Sequence, residues 1–407
     1  MTDWTIAHGY RFAGVHCGIR TDPDRRDLAV IASDRPAAAA GVFTQNRVVA
    51  APVRLCRERL PSADVRGIVV CSGNANACTG ERGLADARRM AELTAANLGC
   101  RPDQILVAST GVIGRHLPMP ALESGIPQAV SRLAVGPAAL DAAAHAILTT
   151  DTTIKVATQW MHGGLSVSGF AKGAAMIGPN LATMLAFILT DASVRPDDLQ
   201  GILSRAVEKT FNCISVEGHT STNDTVLLLA NGEGPPLKPF DVKKLPDQSF
   251  EEIAGFDLLE AAVTQVCADL ARMIAADAEG ATKLVTIDVV GLRTDAEARQ
   301  VAKTVADSAL VKTALFGNDP NWGRFVSAAG YAGVPFEERD LTLFLGDLML
   351  YNAGTPTPLD PSVAAAYLKA NREVRLTFDF NLGGGRCAFY TCDLSTEYVH
   401  LNADYTT

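Results

Sequence analysis

Aromatic residues make up only 6% of the 407 positions, and no apolar segment reaches the roughly 18 residues that a membrane-crossing helix needs. The first shortage argues against an aromatic-rich binding face, and the second predicts no membrane span. Basic residues are outnumbered by acids, with a formal net charge of −9 and no basic block. Nucleic-acid partners need a positive face or stripe, so none is expected. The opening MTDWTIAHGYRFAG lacks a basic segment followed by an apolar one, so no secretory signal is expected and a cytoplasmic protein is. Nine cysteines occur without CxxC or regular spacing, which fits neither a disulfide framework nor a zinc ribbon. They suit reduced thiols in a cytoplasmic chain. Seven histidines are scattered without HExxH, so no metal is expected. There is also no GxxxxGK followed by Ser or Thr, no GxGxxG between strand and helix, and no internal repeat. No resident cofactor is expected.

What is present is 48% hydrophobic, with mean hydropathy +0.13 and abundant Ala and Gly. Such a chain has ample core for two or three tightly packed units. Its centre is Phe170 to Ala192, FAKGAAMIGPNLATMLAFILTDA. Gly173, Gly178, Pro179 and Asn180 bend the first half. Thr183 to Leu189 is an uncharged apolar run, the pattern of a strand buried on both faces. Thr183 follows the small Ala182, and Lys172 stands in a stretch otherwise almost free of charge. A hydroxyl and an ammonium beside the core are costly unless paired or used. Taken singly, a strand-start threonine also caps or fills a pleat, and a lysine also snorkels to the surface.

Residues 1 to 55 read as short strands, with Asp27 to Ala32 and Gly41 to Thr44 β-branched between turns. Ile68 to Cys71 reads as a strand running into the small-residue loop SGNANACTG, and Leu84 to Leu98 as a helix ended by Gly99. Ile105 to Ala108 predicts a strand ending at Ser109-Thr110-Gly111. A Thr-Gly pair there can aim a hydroxyl and an N–H at one point, as an oxyanion site requires, or simply turn the chain. Losing one such donor costs about 3–4 kcal/mol of transition-state stabilisation. Ala138 to Leu148 reads as a helix leading into the hydroxyl cluster Thr149 to Thr153, which also suits capping. Leu165 to Phe170 alternates like a half-buried strand. Arg195-Pro-Asp-Asp198 opens a helix with acids in its first turn, and Val226 to Ala230 is an apolar strand. Residues 231 to 250 look like an exposed excursion, and Leu258 to Ala276 like a long amphipathic helix. Glu279-Gly280 then precedes a strand from Leu284 to Val290. Thr294 to Glu297 matches a capping box for a helix to about Leu310. The tail alternates strands around Gly383 to Gly385.

The central stretch AKGAAMIGPNLATMLAFILTDA resembles the signature of the ornithine acetyltransferase family, the bifunctional glutamate N-acetyltransferases of arginine biosynthesis. CSGNANACTGERGLADARRMAE, VASTGVIG, TTDT, STNDTVLLLANG, EGATK, LVKTALFGNDPNWGR, TCDLS and the terminal NADYTT are similar to further blocks of that family, in family order across nearly the whole chain.

The resemblance implies an α+β protein. Its main lobe, 1–290, is an αββα sandwich, and residues 291–407 form a smaller C-terminal α/β lobe. It implies self-cleavage between Ala182 and Thr183 into chains 1–182 and 183–407, with Thr183 as nucleophile and Thr110 and Gly111 stabilising the oxyanion. Thr149, Lys172, Thr183, Glu279, Asn402 and Thr407 match substrate-binding positions. Acetyl would pass from N2-acetylornithine to glutamate through acetyl-Thr183, with acetyl-CoA as a possible second donor. Two copies of each fragment would assemble together. The rivals are an N-terminal-nucleophile amidase or aminopeptidase using water, and an uncleaved amino-acid-binding protein. Three departures from the family pattern stand out: Ala175 in KGAAMI replaces a glycine, His219 in VEGHTSTND replaces an acid, and residues 231 to 256 look longer.

Overall fold

The computed structural model describes residues 4–161, 163–178, 184–237, 241–244, 250–253 and 255–404; Ala182, Thr183 and Thr407 lie outside them. The chain opens with β1 (Tyr10–Val15), β2 (Leu28–Phe43), α1 (Ala51–Arg59), β3 (Ser62–Asn74), α2 (Gly80–Leu98) and β4 (Ile105–Val112). Next come α3 (Met119–Ser131), α4 (Pro137–Ala146), β5 (Lys155–Met161), β6 (Leu165–Lys172) and β7 (Leu185–Thr190). They are followed by α5 (Pro196–Lys209), β8 (Thr225–Ala230), the pair β9 (Asp241–Lys244) and β10 (Phe250–Ile253), and α6 (Gly255–Ala276).

The segments read as separate short strands are one strand, β2. Its bend at Asp34, Arg35 and Pro36 is exposed, and the residues on either side are buried. Before the bend β2 pairs with β1 and β3; after it, β2 keeps β3 only at Ala37 and Ala39 and pairs with β8 from Ala38 to Phe43. It therefore crosses from one layer, shared with β1, β3 and β4, to a second layer shared with β8, β7, β6 and β5. Phe12, Ile31, Ile68 and Leu106 of the first layer meet Ala39, Phe170, Phe187 and Leu229 of the second. Helices α1 to α3 cover the outer face at Val30, Val69 and Val107, and α5 and α6 cover the other at Val167, Ile188 and Leu228. This is the αββα sandwich.

Two expectations change for physical reasons. Strand β6 is buried at every residue rather than on one face, because β5 and β7 flank it and both faces are covered. The segment from Ala51 is helix, not strand: Pro52 sits in the first turn, where its missing N–H costs nothing. The Gly99 terminator is where the sequence placed it, in left-handed geometry at φ 70°.

The rest of the chain comprises β11 (Leu284–Leu292), α7 (Asp295–Asp307), α8 (Ala309–Phe316), α9 (Trp322–Gly330), β12 (Leu341–Leu345), β13 (Leu348–Asn352) and β14 (Thr355–Pro356). After α10 (Pro361–Ala370) come β15 (Glu373–Phe380), β16 (Gly385–Cys392) and α11 (Thr396–Asp404). The second sheet runs β14-β13-β12-β15-β11-β16 and has its own core. Because β11 pairs with β15 and β16, the second sheet starts at Leu284, and residue 290 lies inside the strand next to its β16 edge. Thr294 accepts from the Glu297 amide as a capping box should, but α7 stops at Asp307, where Ser308 caps α8.

Candidate active site

Strand pairing brings distant motifs to one edge of the sandwich. Parallel pairing of β3 with β4 sets Gly73 beside Gly111. Gly111 has φ 129°, and a Cβ there would lie 2.3 Å from the Gly73 carbonyl carbon, so only glycine fits. Asn223, just before β8, donates to the carbonyls of Ala75 and Ser109, tying the ends of β3 and β4 to the STND loop. Antiparallel β6 and β7 pair Lys172 with Leu185, placing the cation beside the start of the strand that follows residue 183.

Lys172 is 2% exposed, so it is no surface charge. Its Nζ lies 3.8 Å from Asp151 Oδ2. Asp151 is itself buried and accepts from Lys155 Nζ (2.8 Å), the Gly173 amide (2.6 Å) and the Thr149 amide (3.1 Å). Burial alone would raise its carboxyl, but Lys172, Lys155 and the Gly173 amide hold it well below the ordinary aspartate range. Burial pushes the Lys172 ammonium down, and Asp151 opposes that shift. Lys155 also reaches Asp277 at 2.6 Å, and Asp277 takes the amides of Thr152 and Thr153. The TTDT hydroxyl cluster is thus one strand of a buried ionic knot that joins residues 149–155, 172–173 and 277.

Glu279 follows that knot by two residues. Its amide donates to the Ala174 carbonyl at 2.8 Å. Asp393, from TCDLS, accepts the amides of Thr282 and Lys283, and Ser395 Oγ donates to the Gly280 carbonyl. The chain leaving β16 therefore holds the Glu279 turn and then forms α11, whose Asn402 donates to Glu279 Oε2 at 3.0 Å.

The loop ahead of residue 179 is clamped from both sides. The Ile177 amide donates to Glu217 Oε1, and the Ile177 carbonyl accepts the amides of Val216, Glu217 and Gly218. A Cβ on Gly178 would lie 2.5 Å from the Gly218 carbonyl carbon, which again requires glycine. On the far side, the Met184 amide donates to Asp224 Oδ1 at 3.2 Å, and its carbonyl accepts from Thr225. Burial pushes the Asp224 carboxyl well above the usual range, partly opposed by the Met184 amide.

Burial also pushes Glu217 up to about 8, partly opposed by the Ile177 amide and Lys312. A folded value above the unfolded one means that the stability present at acid pH is lost as pH rises through that value. Glu217→Gln is expected to match the parent near pH 4, below the ordinary glutamate value, and exceed it above pH 8, by on the order of a few kcal/mol. Urea unfolding at both pH values checks this; an equal offset at both would count against it.

Thr110, Gly111, Thr149, Lys172, Glu279 and Asn402 all line one cavity of about 440 Å³. Ala175 lines it too, whereas His219 is exposed and does not. Motif reading missed Arg20, Arg25 and Arg115 on the same wall, as well as the supporting roles of Asp151, Lys155, Asp277 and Asp224. The Arg- and Asp-rich turn GIRTDPDRRD after β1 was the available signal. Among the described residues no group of His, Cys, Asp or Glu could hold a metal, and no helix is long and apolar enough to cross a membrane.

The ArgJ family model matches residues 11–407. The arginine biosynthesis bifunctional protein ArgJ of Geobacter sulfurreducens is 46% identical, covering 98% of this chain and 99% of that protein. The protein of the same name from Gloeobacter violaceus is 46% identical, over 99% of this chain and 97% of the relative. A crystal structure of ornithine acetyltransferase complexed with ornithine from Mycobacterium tuberculosis is 42% identical over 43% of this chain and 94% of that one, with TM-score 0.42. With a family model spanning nearly its whole length and full-length relatives at this identity, the chain belongs to the ArgJ family.

Proposed function

We propose that the chain transfers acetyl from N2-acetyl-L-ornithine to L-glutamate through acetyl-Thr183, after cutting itself between Ala182 and Thr183. The observation that carries this reading is the single cavity lined by Thr110, Gly111, Thr149, Lys172, Glu279 and Asn402 in a member of the ArgJ family.

In self-cleavage the Thr183 hydroxyl attacks the Ala182 carbonyl, whose methyl side chain leaves room for approach. The Ala182–Thr183 C–N bond breaks as the nitrogen takes up the hydroxyl proton, which frees the Thr183 α-amine and leaves an ester. Water then hydrolyses that ester, releasing the Ala182 carboxylate and restoring the Thr183 hydroxyl. An unperturbed α-amine has a pKa of about 7.7–8.0, so it can take a proton near neutral pH where an ordinary lysine cannot. The cut gives the hydroxyl its own base. In the first half-reaction Thr183 Oγ attacks the acetyl carbonyl, and Thr110 with the Gly111 amide receives the developing oxyanion. The C–N bond breaks, the α-amine returns its proton to the leaving nitrogen, and ornithine departs. In the second, the glutamate α-amine attacks the acetyl ester and the bond from the acetyl carbon to Thr183 Oγ breaks. The Thr183 α-amine carries the proton of the attacking nitrogen to Oγ, and N-acetylglutamate leaves. Lys172 holds the substrate α-carboxylate, and Glu279, oriented by Asn402, holds the δ-ammonium; Thr149 and Thr407 complete the binding set. Acetyl-CoA serves as a second donor, two copies of each fragment assemble, and the enzyme works in the cytoplasm with its cysteines reduced.

Glu279→Gln is expected to raise KM for acetylornithine by roughly tenfold or more with much less change for glutamate, since only the former carries the ammonium. Equal losses for both substrates would remove the assignment. Partition of acetyl between glutamate and water separates the transferase from an amidase: predominant release to water, with saturating glutamate present, would refute transfer.

A further inference from the structure

We infer that Arg25 and Arg115 form a second anion subsite at the cavity wall, which receives the side-chain carboxylate of the acetyl acceptor. This rests on the proposed transfer to glutamate. In successive half-reactions one cavity must then hold side chains ending in opposite charges. Glu279 suits the ornithine ammonium and repels the glutamate γ-carboxylate, so a cation is needed within the same space.

Among the described residues the cavity wall carries Lys172, Arg20, Arg25 and Arg115 against Asp22 and Glu279. The Arg20 guanidinium donates to the Leu148 carbonyl, next to Thr149, and Lys172 faces Asp151 at 3.8 Å. They sit together beside the Asp151 knot, where the α-carboxylate is assigned. Arg25 and Arg115 remain. Among the described residues neither has an acidic partner within ion-pair range.

Both stand on built loops. Buried Asp27 gathers the amides of Cys17 (2.7 Å), Gly18 (3.2 Å), Ile19 (2.8 Å) and Arg20 (3.0 Å), shaping the turn that carries Arg25. The Arg25 guanidinium donates to the Thr149 carbonyl at 2.7 Å, fixing it beside a substrate-binding position with nitrogens left over. Arg115 lies four residues beyond Gly111, on a loop pinned by Gly114 N to the Ala77 carbonyl and by Asn74 Nδ2 to the His116 carbonyl. A guanidinium fork matches a carboxylate in two parallel hydrogen bonds and discriminates against a neutral amide.

The test compares glutamate with glutamine as acceptors of acetyl from the acetyl-enzyme, which differ only at the group in question. For the parent, glutamate is expected to be strongly preferred. In Arg115→Gln, and separately in Arg25→Gln, the glutamate-to-glutamine ratio of kcat/KM is expected to fall about tenfold, through KM for glutamate. Deacylation by glutamate should suffer far more than acylation by acetylornithine. An unchanged ratio in both variants, or equal loss for both acceptors, overturns the subsite while leaving the transfer reading intact. Failure of the parent to form any acetyl-enzyme overturns both.

Discussion

Thr183→Ala is expected to yield an uncut chain of 43.0 kDa with acetyl transfer reduced by roughly 10⁴-fold or more. Two losses have one cause. Without the hydroxyl there is no attack on the Ala182 carbonyl, so no α-amine is freed; and there is no oxygen to carry acetyl. Thr183→Ser keeps an oxygen on Cβ and should retain both cleavage and transfer at reduced rates. Denaturing electrophoresis beside a transfer assay reads the two effects together. A Thr183→Ala chain that still split at this bond, or still transferred acetyl at near-parental rate, would contradict the assignment.

The second large effect is expected at Asp151. This carboxylate lies between two buried ammonium groups, Lys155 at 2.8 Å and Lys172 at 3.8 Å. Asp151→Asn leaves both buried cations without it, and removing one partner from a buried ionic cluster costs about 3–5 kcal/mol. Lys155 keeps Asp277, so Lys172 is the group left worse off. Its ammonium is already depressed by burial, and loss of Asp151 lowers it further. Binding of the substrate α-carboxylate should weaken for acetylornithine and glutamate alike, in contrast to Glu279→Gln. Urea unfolding gives the stability loss, and the paired KM values give the binding loss. The depressed folded value of Asp151 also sets the acid limit. Its stabilisation is full above the ordinary aspartate value near 3.8 and disappears as pH falls through the lower folded one. Asp151→Asn should therefore flatten the acid side of the stability profile; a uniform offset at all pH values would refute the electrostatic cause.

Local pattern was informative where chemistry is written in neighbouring residues. Strand β7 is legible because Leu185 to Thr190 carries no charge, and the end of α2 because Gly99 follows a helical run. The Thr110-Gly111 turn, Lys172 and Glu279 stand inside blocks whose order along the chain carries the family resemblance, and the structure brings them to one cavity. What escaped was whatever depends on distant partners. Lys155 and Asp277 belong to no local motif, and their bond spans 122 positions. The continuity of β2 was hidden because Asp34 to Pro36 reads as a turn between strands, though there it is the corner joining two layers. Which sheet Leu284 to Val290 joins is not legible in the sequence, because the run is equally apolar in either. Only its pairing with β15 and β16 decides.

Intact-mass measurement of the purified protein before and after brief exposure to N2-acetylornithine bears most directly on Thr183. The predicted result is two fragments, 1–182 and 183–407, with the larger one gaining a single acetyl group that glutamate then removes. A folded chain that remains in one piece yet shuttles acetyl at full rate would contradict it.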